Sequence, residues 1–383
     1  MAHKVYSDNT TKFFITIIGL VVIAIVLKEL SHIFIPLVIA IFLYFVFAPL
    51  NNFLSAKKFP GFLITILDLI ITILILYSAG RIVVDSLLQF ADGLPTYGDK
   101  LNSIVRDIAR ELNIRDPFFR KFDLEQTIQR LDYKSLAGGI FSSTINLAGS
   151  VLFVLFFFVF VLSGEKTIYE AIKNYYVFRK VKPQFKKIKK SLYTSHQISD
   201  RSIETELQSE RLLREKQLAE TFNTITDQIQ RYIIAKFGLN LIAGIITAIA
   251  LSIVGLDFPI VWGLFVFLFN FIPTIGSAAA LVLPVLFALV QFDSTSSAFL
   301  IAIVMAVIQT LAFNLAEPMI IGRRLNLNPL LILLSVLIWG YIWGIVGMLI
   351  AVPITAIIKI ILSNSKSNYL KFLSNLMSQS QSN

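Results

Sequence analysis

Ionisable side chains are rare inside the long apolar runs of this sequence, so those that do occur are the first candidates for chemistry. Asp68 stands in the middle of the apolar run 62–80, and Glu317 stands near the end of a later one. If these runs cross a lipid bilayer, a charged group within them is costly and is by default a functional hypothesis. Asp68 then carries protons or sodium ions, or it is a structural group that bonds to a neighbouring helix. Glu317 then has a functional role, or it forms an interfacial ion pair with Arg323 and Arg324.

Three amide side chains form a second group of candidates, because an amide can bind a polar solute. Asn270 begins a Gly/Pro-containing interruption of an apolar segment, whereas Gln309 and Asn314 lie in the apolar run that follows. An interrupted membrane helix offers free backbone N–H and C=O groups, which can bind a small polyol or an ion. Amides also join membrane helices through hydrogen bonds, which is the structural alternative for each of these residues.

Other chemistry has little support in the sequence. There is no cysteine, which excludes disulfides and thiolate metal sites, and His3, His32 and His196 are scattered. Residues 164–167 (GEKT) lack the residue order and the earlier glycine of a phosphate-binding loop, and neither G-x-S-x-G nor H-E-x-x-H occurs. We therefore expect no enzyme activity, no ATP hydrolysis, no cofactor and no metal site.

The composition is that of a chain that crosses a membrane several times. Of the 383 residues, 56% are hydrophobic and only 15% are charged, against about 25% charged residues in ordinary soluble domains. Several apolar runs approach or reach the roughly 20 residues that a spanning helix requires. They lack the alternation that a transmembrane barrel shows, and helices satisfy their own backbone hydrogen bonds in lipid. We predict an all-α polytopic integral membrane protein surrounded by a lipid bilayer.

The apolar runs and the polar stretches between them divide the chain into segments. We predict complete spans at 13–27, 33–50, 62–80, 140–162, 233–254 and 298–316. The segments are the first three membrane helices (1–80), an extracytoplasmic helical module (81–135), the fourth membrane helix (136–163), a basic cytoplasmic helical linker (164–231), a core (232–362) and a cytoplasmic tail (363–383). Helical spacing of apolar residues predicts a helix in the module, and charge pairs at i,i+4 predict another in the linker.

Lysine and arginine residues determine the expected orientation, because short cytoplasmic loops of membrane proteins carry an excess of them. The formal net charge is +10, and the basic residues crowd the ends of apolar runs and the linker 164–231. This distribution is typical of a membrane protein and argues against nucleic-acid binding. With the linker in the cytoplasm, both termini are cytoplasmic, provided that the segments 259–290 and 329–361 each leave and return to the same side.

These two segments, the first hairpin (259–290) and the second hairpin (329–361), share a pattern that independently predicts such a course. Each is too long for one span and marginal for two, and each is interrupted near its middle, at 270–276 and at 339–344. Each begins with proline, and a glycine and a proline follow each interruption, namely Gly276 with Pro284 and Gly347 with Pro353. Paired, interrupted segments of opposite topology indicate a transporter's substrate site. We predict two inverted re-entrant hairpins, with kinked ordinary span pairs as the alternative.

Four short stretches carry a resemblance to a known family. They are 270–276 (NFIPTIG) for the signature N-x-I-P-Y-I-G, 317–325 (EPMIIGRRL) for E-P-x-I-M-G-R-x-L, 344–353 (GIVGMLIAVP) for G-x-x-G-M-L-x-A-V-P, and 163–165 (SGE) for D-G-E. Thr274 replaces the usual tyrosine of the first signature. The sequence thus resembles the bacterial autoinducer-2 exporter family of transporters over nearly its whole length, most specifically from 232 to 361. Residues 195–220 look like extra length in the linker.

The resemblance implies an inner-membrane permease with about eight hydrophobic segments, which forms a homopentamer and moves cargo by an elevator-like shift of a transport core (232–362). The cargoes named in the family are the quorum signal autoinducer-2 and, for some members, sodium ions exchanged for protons. Our first hypothesis is a secondary transporter that exports a small polar solute, and the alternative is a sodium–proton antiporter. A hypothesis of another class is a non-transporting membrane scaffold, whose regions 81–135 and 164–231 bind partners.

The expected substrate-binding residues of such a transporter lie at the interruptions and beside them. They are Asn270, Pro273, Thr274, Gly276, Asn314, Glu317, Trp343 and Gly344. Asp68 is the candidate for ion or proton coupling. The expected partners are a lipid bilayer, a small polar solute or a monovalent cation, and further copies of the chain, with no nucleic acid.

Overall fold

The computed structural model of the chain describes residues 9–120, 122–123, 149–164, 170, 200–292, 294–320, 327–364 and 368–378. Within these ranges the chain is almost entirely helical, and no β-strand occurs there. The predicted all-α fold class is therefore confirmed. Predictions for the module beyond residue 123, for nearly all of the linker before residue 200, and for Arg323 and Arg324 lie outside the described residues.

The principal helices of the described residues are numbered here in chain order. They are α1 (Asn9–Glu29), α2 (Ser31–Ala56), α3 (Gly61–Glu111), α4 (Gly149–Gly164), α5 (Asp200–Val254), α6 (Pro259–Phe269), α7 (Ile275–Gln291), α8 (Thr295–Gln309), α9 (Pro329–Ser363) and α10 (Asn368–Leu376). α8 continues through a π-helical stretch, Thr310–Ala316, into a further turn, Glu317–Ile320. α6 and α9 begin with proline, which is favoured at the first helical position because the missing N–H would have no partner there.

Five helices or parts of helices within the described residues are long and apolar enough to cross a membrane. They are Ser31–Ala56, Gly61–Phe90, Glu215–Val254, Thr295–Ile320 and Pro329–Ser363. Large apolar side chains on these helices are exposed, such as Leu74 and Ile253, as a surface in contact with lipid requires. α1 covers the first predicted span, and α4 covers the described part of the fourth. The protein is thus a polytopic membrane protein, whereas the number of spans and the re-entry of the hairpins stay predictions.

Two helices are longer than the sequence predicted, because each runs from the membrane into a neighbouring polar segment. α3 joins the third predicted span to the start of the module in 51 residues, and α5 joins the charged stretch to the fifth span in 55 residues. Residues 200–237 contain neither glycine nor proline, so nothing ends the α5 backbone where the hydropathy changes. The drop in hydropathy therefore marks the membrane surface and not a helix end.

The centre of the fold is a bundle of α5, α6, α7 and α8. α5 and α6 approach so closely that a Cβ atom on Gly244 would lie 2.6 Å from the carbonyl oxygen of Gly263. Small residues allow this type of close helix crossing in membranes. Apolar residues from all four helices fill the space beside the crossing, including Ala243, Leu251, Val266, Ala280, Ala288, Ile301 and Met305. The first hairpin is therefore held firmly against α5 and α8.

Candidate functional site

The first hairpin is interrupted where the sequence predicted it. α6 ends at Phe269, residues 270–274 form a turn, and α7 begins at Ile275. Pro273 lies in this turn and has no N–H, so it cannot continue the hydrogen bonds of α6. Thr274 takes a positive φ of 64°, which is rare for a β-branched residue and marks a tightly constrained backbone.

Asn270 holds the two halves of the first hairpin together at this turn. Its buried Nδ2 donates to the carbonyl oxygen of Val266 at 2.8 Å, and its Oδ1 accepts from the Ser277 hydroxyl at 2.7 Å. One bond reaches back into α6 and the other reaches forward into α7. The Asn270 side chain thus has a structural role, and its role as a solute ligand stays a prediction.

Gly276 allows the chain to fold back at the turn. A Cβ atom on this residue would lie 1.7 Å from the carbonyl oxygen of Phe269, far inside any contact that real Cβ atoms make. Its N–H donates to the carbonyl oxygen of Ile272 at 3.0 Å, which closes the turn. Only glycine fits in this position, because every other residue carries a Cβ atom.

The second hairpin is broken inside α9, also where the sequence predicted it. Trp343 (φ −126°, ψ 15°) and Gly344 (φ 62°, ψ −143°) depart from helical geometry, and the conformation of Gly344 is essentially restricted to glycine. A Cβ atom on Gly347 would lie 1.9 Å from the carbonyl oxygen of Trp339. In a straight helix, residues eight apart are about 12 Å apart along the axis. The chain therefore reverses at Gly344 and forms two arms.

Both breaks use the same local arrangement, in which a residue with positive φ precedes a glycine that lies against an earlier carbonyl oxygen. The residues are Thr274, Gly276 and Phe269 in the first hairpin, and Gly344, Gly347 and Trp339 in the second. The two hairpins also meet, because Ile272 belongs to the same apolar cluster as Val336 and Ala351. These findings agree with the prediction that the hairpins are related.

The two breaks contact different levels of the first two helices. At the first break, the Phe271 ring meets the Phe42 ring in the middle of α2, with 5.9 Å between the ring centres. At the second break, the buried Trp343 indole N–H donates to the carbonyl oxygen of Leu27 near the end of α1, at 2.8 Å. Trp343 thus fixes the tip of the second hairpin, while Gly344 is exposed beside it.

Glu317 forms an ion pair with a lysine that the sequence analysis did not single out. The ammonium nitrogen of Lys236 on α5 lies 2.7 Å from Glu317 Oε1, and the two side chains are 7% and 30% exposed. Glu317 follows directly after the π-helical stretch of α8, and such stretches often occur at functional sites. The predicted pairing with Arg323 and Arg324 lies outside the described residues. Lys236 could have been identified from the sequence, because it is a lone lysine inside the apolar run 233–254.

Two more polar residues of α5, Asn240 and Thr247, are fully buried and were also missed. Asn240 Oδ1, Thr247 Oγ1 and both amide atoms of the buried Gln309 on α8 have no hydrogen-bond partner among the described residues. A buried polar atom without a partner costs about 1–3 kcal/mol, so each instance needs an explanation. The available signal was the spacing within α5, which places Lys236, Asn240 and Thr247 on one helix face.

Asp68 lies apart from both breaks, on the side of α3 that faces α2. It is fully buried, and the Asn51 side chain lies beside it. Neither carboxylate oxygen of Asp68 has a hydrogen bond of acceptable geometry within the described ranges. The Thr72 hydroxyl donates to the backbone carbonyl of Asp68, and the Thr65 hydroxyl donates to that of Gly61. The carboxylate is thus buried without a strong partner, and its coupling role stays a prediction.

The predicted site residues therefore occupy several places. Asn270, Pro273, Thr274 and Gly276 share the first break, and Trp343 and Gly344 share the second. Glu317 bonds to Lys236, and Asp68 lies beside Asn51 between α2 and α3. Asn314 is exposed on the π-helical stretch, and neither break contains it. The described residues contain no group of three or more His, Cys, Asp and Glu side chains that suits a metal ion.

The part of α3 beyond its membrane-crossing portion contacts the open end of the first hairpin. Tyr97 donates from its hydroxyl to Asp257 at 2.6 Å, and Lys100 donates to the carbonyl oxygen of Gln291 at 3.0 Å. Gln291 in turn accepts from the Asp257 N–H and donates to the carbonyl oxygen of Gly255. Burial, together with the hydrogen bond and the charge of Asp257, raises the pKa of Tyr97 to about 12, so the hydroxyl remains a donor at neutral pH.

A comparison with protein families identifies one family that matches this chain. The sequence model of the family described as "AI-2E family transporter" matches residues 13–197 and 209–367, which together make up most of the chain. The unmatched residues 198–208 fall within 195–220, where the sequence analysis expected extra length. The matched residues include both hairpins, Asp68 and the Lys236–Glu317 pair.

Three relatives have names that refer to transport. A protein of Borreliella burgdorferi named "Putative transport protein" is 30% identical over 338 residues, which are 88% of this chain and 83% of that protein. "Putative transport protein YrrI" of Bacillus subtilis is 26% identical over 341 residues, which are 87% and 86%. The "AI-2 transport protein TqsA" of Escherichia coli is 34% identical over 139 residues, which are 36% of this chain and 40% of that protein.

The family match, the coverage of the Borreliella relative and the apolar helices agree with one another. They describe a multi-pass membrane transporter and not an enzyme. The resemblance found in the four sequence stretches is confirmed. The chain belongs to the AI-2E family of transporters.

Proposed function

We propose that this transporter exports a small polar solute by an elevator-like movement of the two hairpins. One observation carries the proposal: both hairpins turn at a position that only glycine fits, and they meet in one apolar cluster. Irregular backbone at membrane depth is tolerated only where protein buries it or where it lines a watery cavity. Paired broken helices are the arrangement in which secondary transporters bind their solutes.

The contacts of the hairpins support a movement of both hairpins as one core. The first hairpin is joined to α5 by the close crossing of Gly244 and Gly263. The two hairpins meet through apolar residues such as Ile272 and Val336. The second hairpin also packs against α5, because Val352 and Ile360 belong to the same apolar cluster as Ile233. We infer that both hairpins move together with α5 and α8 as one core.

Autoinducer-2 is the first solute to test, because the Escherichia coli relative TqsA is named an AI-2 transport protein. The alternative of a non-transporting scaffold has no support from a family of transporters. Sodium–proton antiport remains the second candidate function. It is favoured by Asp68, a fully buried carboxylate with no well-formed hydrogen bond in the described part of α2 and α3.

Flux measurements with the purified protein in liposomes test the two candidate functions. We expect protein-dependent movement of autoinducer-2 across the liposome membrane, with little change in Asp68→Asn, because Asp68 lies apart from the breaks. Protein-free liposomes are the control for leakage. Sodium–proton exchange that disappears in Asp68→Asn, without movement of autoinducer-2, would replace export by antiport.

We also propose that the protein lies in the bacterial inner membrane with both termini in the cytoplasm and with two re-entrant hairpins. The sequence contains no cysteine, so single-cysteine variants label at one position only. We expect Ser296→Cys to react with a membrane-impermeant maleimide from outside the cell, and Asn326→Cys to react only after permeabilisation. Ser209→Cys in the charged part of α5 is the matched cytoplasmic control. Labelling of Ser296→Cys from inside or of Asn326→Cys from outside would show that the hairpins do not re-enter as proposed.

A further inference from the structure

We infer that a binding site for the hydroxyl groups of a neutral polar solute lies between α5 and α8, formed by Asn240, Thr247 and Gln309. This inference rests on the proposed export of a polar solute, and it assigns the solute to residues outside the two breaks. It also gives a reason for a set of buried polar atoms that no contact within the described residues explains.

The three residues are brought together by the way α5 and α8 pack. With 100° per residue, Lys236, Asn240 and Thr247 fall within about 40° on one face of α5. Leu251 continues this stripe and belongs to the central cluster with Met305 of α8. Lys236 on this face bonds to Glu317 beyond α8, and Asn240 bonds to Phe267 of α6, so the stripe lies where α5 packs against both helices.

Gln309 occupies the matching position on α8. It lies one turn beyond Met305, on the same face, and it is buried. The Lys236–Glu317 bond joins the two helices at one end, and the packing of Leu251 in the central cluster joins them at the other. The helices thus run antiparallel, and Gln309, eight residues before Glu317, falls between the levels of Asn240 and Thr247, which follow Lys236 by four and eleven residues.

The free atoms of this group define what it can bind. Asn240 Oδ1, Thr247 Oγ1 and Gln309 Oε1 can each accept a hydrogen bond, and the Thr247 hydroxyl and Gln309 Nε2 can donate. Asn240 Nδ2 is already used, because it donates to the carbonyl oxygen of Phe267 at 3.2 Å. Buried polar groups are nearly always paired with protein, water or ligand. Three acceptors and two donor groups suit a solute that presents several hydroxyl groups, because a hydroxyl both donates and accepts.

The charges nearby favour a neutral solute over an ion. The ammonium group of Lys236 is one helical turn from Asn240 and is paired with Glu317 at 2.7 Å, so the pair contributes no net charge. A monovalent cation would find neutral oxygens only, with no net negative charge to offset the loss of its hydration. An anion would find no unpaired positive charge, because Lys236 is already bonded to Glu317. A neutral polyol avoids both costs, because its hydroxyl groups can pair with the free acceptors and donors of the site.

The position of the site also connects it with the moving part of the fold. Asn240 bonds to Phe267, which lies in the last turn of α6, and the rings of Phe267 and Phe271 are 5.8 Å apart. The site is therefore next to the first break. Asn270 has both ends of its amide engaged in the turn, so it shapes the break while Asn240 and Gln309 contact the solute.

Two substitutions that remove the free polar atoms test this site. We expect Thr247→Val and Gln309→Leu each to raise the half-saturation concentration for autoinducer-2 about tenfold, which corresponds to about 1.4 kcal/mol, with a smaller change in the maximal rate. Each loses a hydrogen bond to the solute, while the backbone of the break is unchanged. The measurement is concentration-dependent flux in liposomes with the full chain. Thr310→Val, at an exposed position beside Gln309, is the matched control and should behave as wild type.

Thermal unfolding of the same variants in detergent separates binding from structure. Without solute, we expect Thr247→Val and Gln309→Leu to unfold at the wild-type temperature or above it, because they remove unpaired buried groups. D-Ribose and autoinducer-2 should stabilise the wild-type protein more than the variants, and sodium chloride should not discriminate. Lower unfolding temperatures without solute would show that these atoms serve the fold, and would overturn the site.

The flux and stability results also distinguish this inference from the proposed function. Wild-type flux with unchanged half-saturation concentrations in both variants would reject the site and leave export intact. A wild-type protein that moves no polar solute would reject export. In that case, solute-dependent stabilisation that is lost in the variants would still support the site, and its absence would reject it.

Discussion

Glu317→Gln is expected to remove most of the transport activity and to lower the free energy of unfolding by about 3–5 kcal/mol. The substitution leaves the ammonium group of Lys236, which is 7% exposed, without a counter-charge in an apolar environment. A buried cation without a partner is costly at membrane depth, and the pair joins α5 to α8 beside the first break. Unfolding in mixed detergent micelles and flux in liposomes measure the two effects.

A double substitution distinguishes the ion pair from the two single groups. We expect Lys236→Met with Glu317→Gln to recover most of the lost stability, because a neutral pair removes the uncompensated charge. Asp227→Asn is the matched control, since Asp227 pairs with Arg231 on an exposed face of α5 at 2.9 Å. Exposed pairs contribute about 0–1 kcal/mol. Equal stability of Glu317→Gln and of the double variant would mean that the pair does not contribute as described.

The helix breaks were the most predictable part of the site, because they depend on residues close together in the chain. Pro273 cannot continue a helix, and Gly276 and Gly347 fit where no other residue does. A pattern of glycine and proline in an apolar segment therefore predicts the position of the turn in the chain. It does not predict the depth of the turn in the membrane, which depends on the surrounding helices and on lipid.

The partners of the buried polar groups were much less predictable, because they are distant in sequence. Lys236 and Glu317 are 81 positions apart, whereas Arg323 and Arg324 are neighbours of Glu317 in the chain and were the natural expectation. The direction of the Glu317 side chain depends on the π-helical stretch that precedes it. The residue spacing of α-helices does not apply to such a stretch, so the sequence pattern could not predict this direction. Helix ends were missed for a related reason, since a change from apolar to polar residues does not interrupt the hydrogen bonds of α5.

The glycines of the two breaks give the second large expected effect. We expect Gly276→Ala and Gly347→Ala each to destabilise the protein by about 3 kcal/mol and to abolish transport. The new Cβ atoms would lie 1.7 Å from the Phe269 carbonyl oxygen and 1.9 Å from that of Trp339, so the backbone has to move by more than an ångström. Inserting one methyl group into a close-packed region commonly costs about 1–3 kcal/mol. A clash with backbone on both sides of a turn belongs at the upper end of this range, and unfolding in detergent measures it.

Gly238→Ala on α5 separates this steric effect from the general effect of replacing a glycine. Nothing lies within 4 Å of a Cβ atom at Gly238, which is inside a regular helix. Alanine there should stabilise the helix by about 0.5–1 kcal/mol, so the change in stability has the opposite sign to that expected at the breaks.

If Gly276→Ala and Gly347→Ala were as stable and active as Gly238→Ala, the chain would have room at both turns. The close approach of the two arms would then not be required for transport. If only one of the two substitutions were tolerated, the two hairpins would not share the requirement for glycine at the turn. Transport would then depend only on the break at which alanine is not tolerated.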